Sequence, residues 1–241
     1  MGDTFRTLFT NRPLLILSAS AILFLTGMIA LSTLGAYIAT QVIGDAQFIA
    51  WNQLAQTIPL FVIRPMIPKM VATIGKRKAY ILMGAMFIVG TIMLAFLPLS
   101  AMPWLGPVTF FVLGIGISGV NALMWALEAD CVDYGHWKTG HRTEGTTYAV
   151  FSFTRKLGQA FGGLVGGAAL TWAAYDAGRA SSGQSQLPGV AENIQMYGGA
   201  IMGVFVLLSL LVMAAYPLTE DRYAEITAEL KERTDREETT V

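Results

Sequence analysis

Charge is what this sequence has least of. Of its 241 residues, 13% are charged and 54% are hydrophobic; soluble domains carry about 25% charged residues. So little charge cannot cover a water-exposed surface, and the composition points to a bilayer. Cysteine is nearly absent as well. The single Cys131 excludes an internal disulfide, and with only two histidines the chain offers no zinc-type cluster. Acids and bases balance to a net charge of zero without a basic block, so nothing argues for nucleic acid.

What the chain does have is long uncharged runs. No charged residue falls between Pro13 and Thr40, or between Ala79 and Leu127. About 18 consecutive apolar residues make a candidate spanning helix. The second run is too long for one crossing and divides at "PLSAMPWLGP" (Pro98–Pro107), where prolines make a turn. Six spans follow: 13–40, 48–67, 79–98, 105–127, 146–174 and 197–216. Residues 1–216 are thus expected to form a six-helix transmembrane bundle and 217–241 a cytoplasmic tail, giving an all-α, polytopic membrane protein. Arg6 and Arg12 precede the first run as in a signal peptide. That run exceeds the roughly 7–15 apolar residues of a signal core, so it reads as a retained span.

Orientation follows from the bases in the connections. One set holds Arg6 and Arg12; Lys69, Lys76, Arg77 and Lys78; Lys138 and Arg142; and Arg222, Lys231, Arg233 and Arg236. The alternate connections hold only Arg179. Both termini are therefore expected in the cytoplasm. The Gly/Ser/Gln-rich stretch Tyr175–Asn193 reads as a mobile external loop. In the tail, Tyr223, Ile226 and Leu230 recur at helical spacing among charges, which suits a short cytoplasmic helix, although a solvated tail is the simpler reading.

Ionisable groups inside spans are costly and usually functional. Lys156 lies about 15 Å along a helix starting near Thr146, at 1.5 Å per residue. That is near the middle of a hydrocarbon core about 30 Å thick. Ala149, Ser152, Gln159 and Gly163 share its sector, with Tyr148 and Arg155 on the flank, a polar stripe suited to a watery cavity or a partner. Arg155 adds a second cation at this depth, and no acid in the chain matches it. Counter-charges are therefore expected from protein outside this sequence; the alternative is a neutral lysine in a packed core.

Other candidates are less sharply drawn. Asn121 and Trp125, one turn apart, suit sugar recognition by hydrogen bonding and stacking, or equally ordinary packing near an interface. The glycines at 158, 162, 163, 166 and 167 form small-xxx-small steps that let another helix approach. Arg64, near the cytoplasmic end of its span, is explained by snorkelling, with a pairing to Asp130 or Asp133 also open.

The densest chemistry is "DCVDYGHWKTGHRTEG" (Asp130–Gly145), which reads as a charged connection between two spans. Cys131, His136 and His141 lack the spacing of metal sites. Asp130 and Asp133 are an acid–base pair in principle, but no nucleophile, metal frame or phosphate cradle accompanies them, so no catalytic site is expected.

The order Asp130, Asp133, Tyr134, Gly135, then Trp137, Lys138, Thr139, Gly140, Arg142, then Glu144, Tyr148, Lys156 and Gly158 resembles the glycoside–pentoside–hexuronide:cation symporter family of the major facilitator superfamily. "NRPLLIL" entering the first span and "YPLTEDRYAEITAEL" leaving the last resemble it too, so the likeness covers essentially the whole chain. It covers only the C-terminal half of the family's twelve-span architecture. The resemblance implies one half-bundle of a major-facilitator fold, an inner-membrane location, and sugar:cation symport by alternating access. It implies no cofactor, and coupling to Na⁺ or H⁺ whose carboxylates lie in the missing N-terminal half. Lys156 matches the family's coupling lysine, and Phe151 and Ser152 stand at sugar-facing positions. Asn121 replaces a family tryptophan, with Trp125 one turn on, and Gln159 completes the candidate substrate set. Asp130, Asp133, Arg142, Glu144 and Arg64 are the expected cytoplasmic gate. The expected partners are the sugar, the cation, the lipid bilayer and the missing half. A homodimeric six-span channel or small transporter, and a membrane enzyme using Asp130 and Asp133, are the rival readings.

Overall fold

The first helix begins where the sequence supplies a cap. The Asn11 side chain accepts from the Leu14 N–H at 3.2 Å, and a proline follows in the first turn, where its missing N–H costs nothing. The same Asn11 amide donates to the Cys131 carbonyl at 2.8 Å, which ties this helix start to a helix far along the chain. The computed structural model describes residues 10–239. Arg6, counted above among the cytoplasmic bases, lies outside them, as do residues 240 and 241 of the tail.

The described residues are all-α. Helix α1 (Arg12–Tyr37) continues through a wider π turn at Ile38–Ile43. Helices α2 (Gln47–Thr57) and α3 (Pro59–Ile74) form one interrupted span. The break falls at Ile58 because Pro59 has no N–H and its ring crowds the carbonyl four residues back. Gly75 (φ +80°) ends α3, and α4 (Lys76–Phe96) starts at once. After the proline turn come α5 (Leu105–Thr139), α6 (Glu144–Trp172), the short α7 (Ala177–Ser181), α8 (Val190–Ala214) and α9 (Glu220–Thr239).

Among the described residues, five segments are long and apolar enough to cross a membrane: 12–43, 47–74, 76–96, 105–139 and 190–214. The helix over the remaining expected span, α6, is 29 residues long but more polar, since it carries Arg155, Lys156 and Gln159. It packs along α1 and lies within the same bundle.

Helix α1 is the centre of the bundle, flanked by α6 and α8 and touching α5, while α4 sits between α5 and α8. The α2–α3 span packs on α5 and buries little of its own surface. Two kinds of contact hold α1. In its N-terminal half, Ser20 Oγ lies 3.0 Å from the Tyr80 hydroxyl and 2.9 Å from Ser209 Oγ. These three buried groups join α1, α4 and α8, so each satisfies the others away from water. Against α6, glycines replace side chains. A Cβ on Gly158 would sit 3.0 Å from the Ile22 carbonyl, and one on Gly162 2.9 Å from that of Thr26. Gly163 and Gly167, on the other side of α6, meet nothing within 4 Å.

Two expectations change. The charged stretch beginning at Asp130 is mostly helix, because α5 runs on to Thr139 and only 140–143 connect it to α6. The loop after α6 is closed by its own bonds: the Asp176 N–H donates to Gln186 Oε1, and the Gln186 amide returns to the Asp176 carbonyl, both at 2.9 Å.

The glycine seam predicts an asymmetry. Gly162→Val should cost about 1–3 kcal/mol by overpacking against α1, while Gly163→Val should leave the α1–α6 contact intact. Thermal unfolding of the purified protein in detergent would compare the two; equal losses would count against the seam.

Candidate functional site

At its C-terminal end, α5 projects its charges onto neighbours instead of into solvent. Asp130, on a buried turn, accepts from Lys76 Nζ at 2.6 and 2.7 Å. Lys76 stands at the start of α4, its backbone N–H held by Glu220 Oε1 at 2.7 Å and its ammonium 4.5 Å from the centre of the Tyr223 ring. Gly75 is needed at this junction: its backbone is left-handed, and a Cβ would lie 2.9 Å from Glu220 Cγ. The Tyr223 hydroxyl donates to Asp133 Oδ2 at 2.8 Å, and the other Asp133 oxygen receives Arg142 at 3.0 Å. Arg142 also reaches Glu144, at 3.4 Å. Burial pushes the Tyr223 phenol pKa up, and the bond to Asp133 and the nearby Asp130 charge push it the same way, so it stays a proton donor.

The tail is therefore a docked helix. Ile226 is fully buried, the Trp137 indole N–H donates to Glu229 at 2.7 Å, and Arg233 Nη1 donates to the Trp137 carbonyl at 3.1 Å. The simpler reading of a solvated tail is corrected, because the spacing of Tyr223, Ile226 and Leu230 gives α9 one apolar side to lay on the end of α5.

Mid-way along α5 and α6 lies a second cluster. Arg155 Nη2 donates to Asn121 Oδ1 at 3.2 Å, and Nη1 approaches Met124 Sδ at 3.4 Å. The guanidinium carbon is 5.0 Å from the Trp125 ring centre and 6.0 Å from that of Phe151. Trp125 stacks on Tyr148 at 6.0 Å and meets Phe151 edge-on at 5.9 Å.

The candidate substrate residues divide by face. Lys156 is exposed on the open side of α6 and, among the described residues, makes no hydrogen bond or ion pair. Ser152 and Gln159 are half-buried beside it. Asn121 and Trp125 come together around Arg155. Phe151 has no exposed surface and forms a floor beneath Trp125 and Arg155. In the gate set, Asp130 is held by Lys76 and Asp133 by Arg142 and Tyr223. Arg64 is exposed on α3 and reaches neither aspartate; Lys76 takes that place because the chain reversal at Gly75 aims it at α5. Sequence reasoning missed Lys76, which reads as one of several topological bases, and Glu220. No group of His, Cys, Asp or Glu suited to a metal occurs among the described residues.

Comparison with known proteins follows the same lines. Residues 1–220 match the family described as MFS/sugar transport protein. A glucuronide carrier protein homolog of Escherichia coli (strain K12) is 33% identical over 97% of this chain and 50% of its own length. An uncharacterized symporter of Bacillus subtilis (strain 168) is 30% identical over 96% of this chain and 49% of its own. An inner membrane symporter of E. coli is 41% identical over 29% of this chain and 15% of its own. The chain spans about half the length of the curated relatives it matches end to end.

Lys76 and Asp130 should behave as a unit. Lys76→Ala leaves a buried carboxylate alone and is expected to cost roughly 3–5 kcal/mol, whereas Lys76→Met with Asp130→Leu should recover most of that. Denaturation of the single and double variants tests it; a double variant as unstable as the single would refute the pairing.

Proposed function

The chain belongs to the MFS/sugar transport protein family, and from that membership we propose that it is the C-terminal half of a cation-coupled sugar symporter. Its family is one of transporters, not enzymes, and the chain is a multi-pass membrane protein. The half-bundle meets a second, N-terminal six-helix half in a bacterial inner membrane, with both termini cytoplasmic. Sugar binds between the halves, and Na⁺ or H⁺ is held by carboxylates of the other half.

The observation that carries this reading is the two-sidedness of α6. Gly158 and Gly162 bring it against α1, while Lys156, Gly163 and Gly167 face outward. An ammonium that would cost about 2.5–3.5 kcal/mol at mid-bilayer is thus presented on an open face, where acids of a partner half would neutralise it. Lys156 is the coupling residue in this scheme, with Ser152 and Gln159 beside it on the substrate wall.

The cytoplasmic cluster supplies the gate. Alternating access needs the two halves to close on one side at a time, and ion pairs at a partly dry rim bias that equilibrium by a few kcal/mol. Asp133, Arg142 and Glu144 are accessible enough to exchange partners across the rim. Asp130 is held back by Lys76 and braces α5, and Arg64 is free to meet the other half.

Uptake by reconstituted vesicles tests the scheme. Co-expressed with the N-terminal half, the chain should drive Na⁺- or H⁺-dependent sugar accumulation, and alone it should not. Lys156→Ala should abolish accumulation against a gradient. Coupled uptake by the 241-residue chain alone would overturn the reading.

A further inference from the structure

Helix α2 carries a polar side chain where the packing offers it no partner. Asn52 is 2% exposed, and among the described residues neither its Oδ1 nor its Nδ2 makes a hydrogen bond. A carboxamide brings two donors and an oxygen with two lone pairs. Left buried and unmet, it is worse for the fold than an apolar side chain of the same shape. Buried polar groups are nearly always paired, so this exception asks for a reason.

Glycines of α5 fix how α2 presents it. A Cβ on Gly114 would collide with the Gln56 carbonyl, so α2 lies directly against α5. Gln56 follows Asn52 by one turn, which sets both on the same side of α2. At Gly106 a Cβ would lie 3.0 Å from Asn52 Oδ1 and 2.9 Å from Ile43 Cδ1, at the end of the π turn. Asn52 also forms part of the wall of a cavity of about 80 Å³ between α1, α2 and α5. The polar lining is Ser32, Asn52, Gln53 and Gln56, with Ile49 and Phe110 among the apolar walls and no charged residue. Ser32 and Gln53 are exposed and Gln56 is half-buried, so the polar lining runs from the surface inward to Asn52.

Three carboxamides and a hydroxyl offer donors and acceptors together, which matches ligand hydroxyls, themselves donor and acceptor in turn. An ion would find no counter-charge here. The volume admits about two water-sized groups at ~30 Å³ each, well below the roughly 300 Å³ that encloses a whole small ligand. The niche therefore fits two adjacent hydroxyls on the edge of a larger molecule. Along α5, Phe110 lies eleven residues before Asn121, about 16 Å at 1.5 Å per residue, which separates the niche from the level of Arg155 and Lys156.

We propose that this niche is a separate subsite for a pair of adjacent sugar hydroxyls, with Asn52 as its inner hydrogen-bonding group. It rests on the sugar-transport reading and adds a capture point at the end of the bundle away from α9.

The experiment is uptake of p-nitrophenyl glycosides in gluco, galacto and glucuronic form, by vesicles holding the complete transporter, this chain with its partner half. The glycoside with the lowest KM and its monodeoxy analogues then serve for the variants. Asn52→Leu is expected to raise KM roughly tenfold and keep the maximal rate, with a melting temperature unchanged or higher because the unmet amide is gone. Gln53→Ala, at the exposed rim, should raise KM by a smaller factor. In the wild type at least one monodeoxy analogue should show a KM roughly tenfold above its parent; in Asn52→Leu the two should be equal. An unchanged KM in both variants would show that the amide meets at most solvent, and would overturn the subsite while leaving the sugar-transport reading standing. A lower maximal rate at unchanged KM, or a deoxy penalty that persists in Asn52→Leu, would overturn it in the same way. Uptake of none of the glycosides by the wild type would overturn both.

Discussion

A charge taken out of water must find a partner, return to water or be neutralised, and this constraint orders the molecule. Asp130 is buried against Lys76. Asp133 divides its two oxygens between Arg142 and Tyr223. Lys156 has no such arrangement and sits on the open face of α6. The fold has therefore sorted these ionisable groups into those paired within the chain and one presented on an open face.

That sorting depends on how α6 is held. Because glycines let α6 lie directly against the α1 backbone, the rotation of α6 is fixed, and with it the direction in which each polar residue points. Gly158 and Gly162 face α1, so Lys156 and Gly163 must face away. The same rotation brings Arg155 to Asn121 and Trp125. A packing feature thus determines which cation stands on the open face of α6 and which turns toward α5.

The end of the bundle where α9 docks works by a different device. Helix α5 continues past Glu128 and carries Asp130, Asp133 and Trp137 to its far end, where α9 folds back to cover them. Lys76, Glu220 and Tyr223 link the beginning of α4, the end of α5 and the tail into one unit. Movement at this rim would be felt by all three elements together.

How much was legible in advance can be argued residue by residue. Charge-free runs located α1, α4 and α5, because hydrocarbon tolerates few alternatives to an apolar helix. The pattern of Tyr223, Ile226 and Leu230 held the tail helix, yet nothing in it named the surface that helix would cover. The continuation of α5 to Thr139 was hidden because hydropathy falls at Glu128, and hydropathy reports the membrane rather than the helix. The Lys76–Asp130 pair spans residues far apart in sequence, and one lysine among four nearby bases carries no local mark.

The chain's residues alone determined that it lives in a membrane, where its long apolar helices run, and that two adjacent cations, Arg155 and Lys156, fall on one helix. Only the tertiary structure decided which cation faces where. Successive residues on a helix point about 100° apart at 3.6 residues per turn, so Arg155 and Lys156 look equivalent until the packing of α6 on α1 sets its rotation.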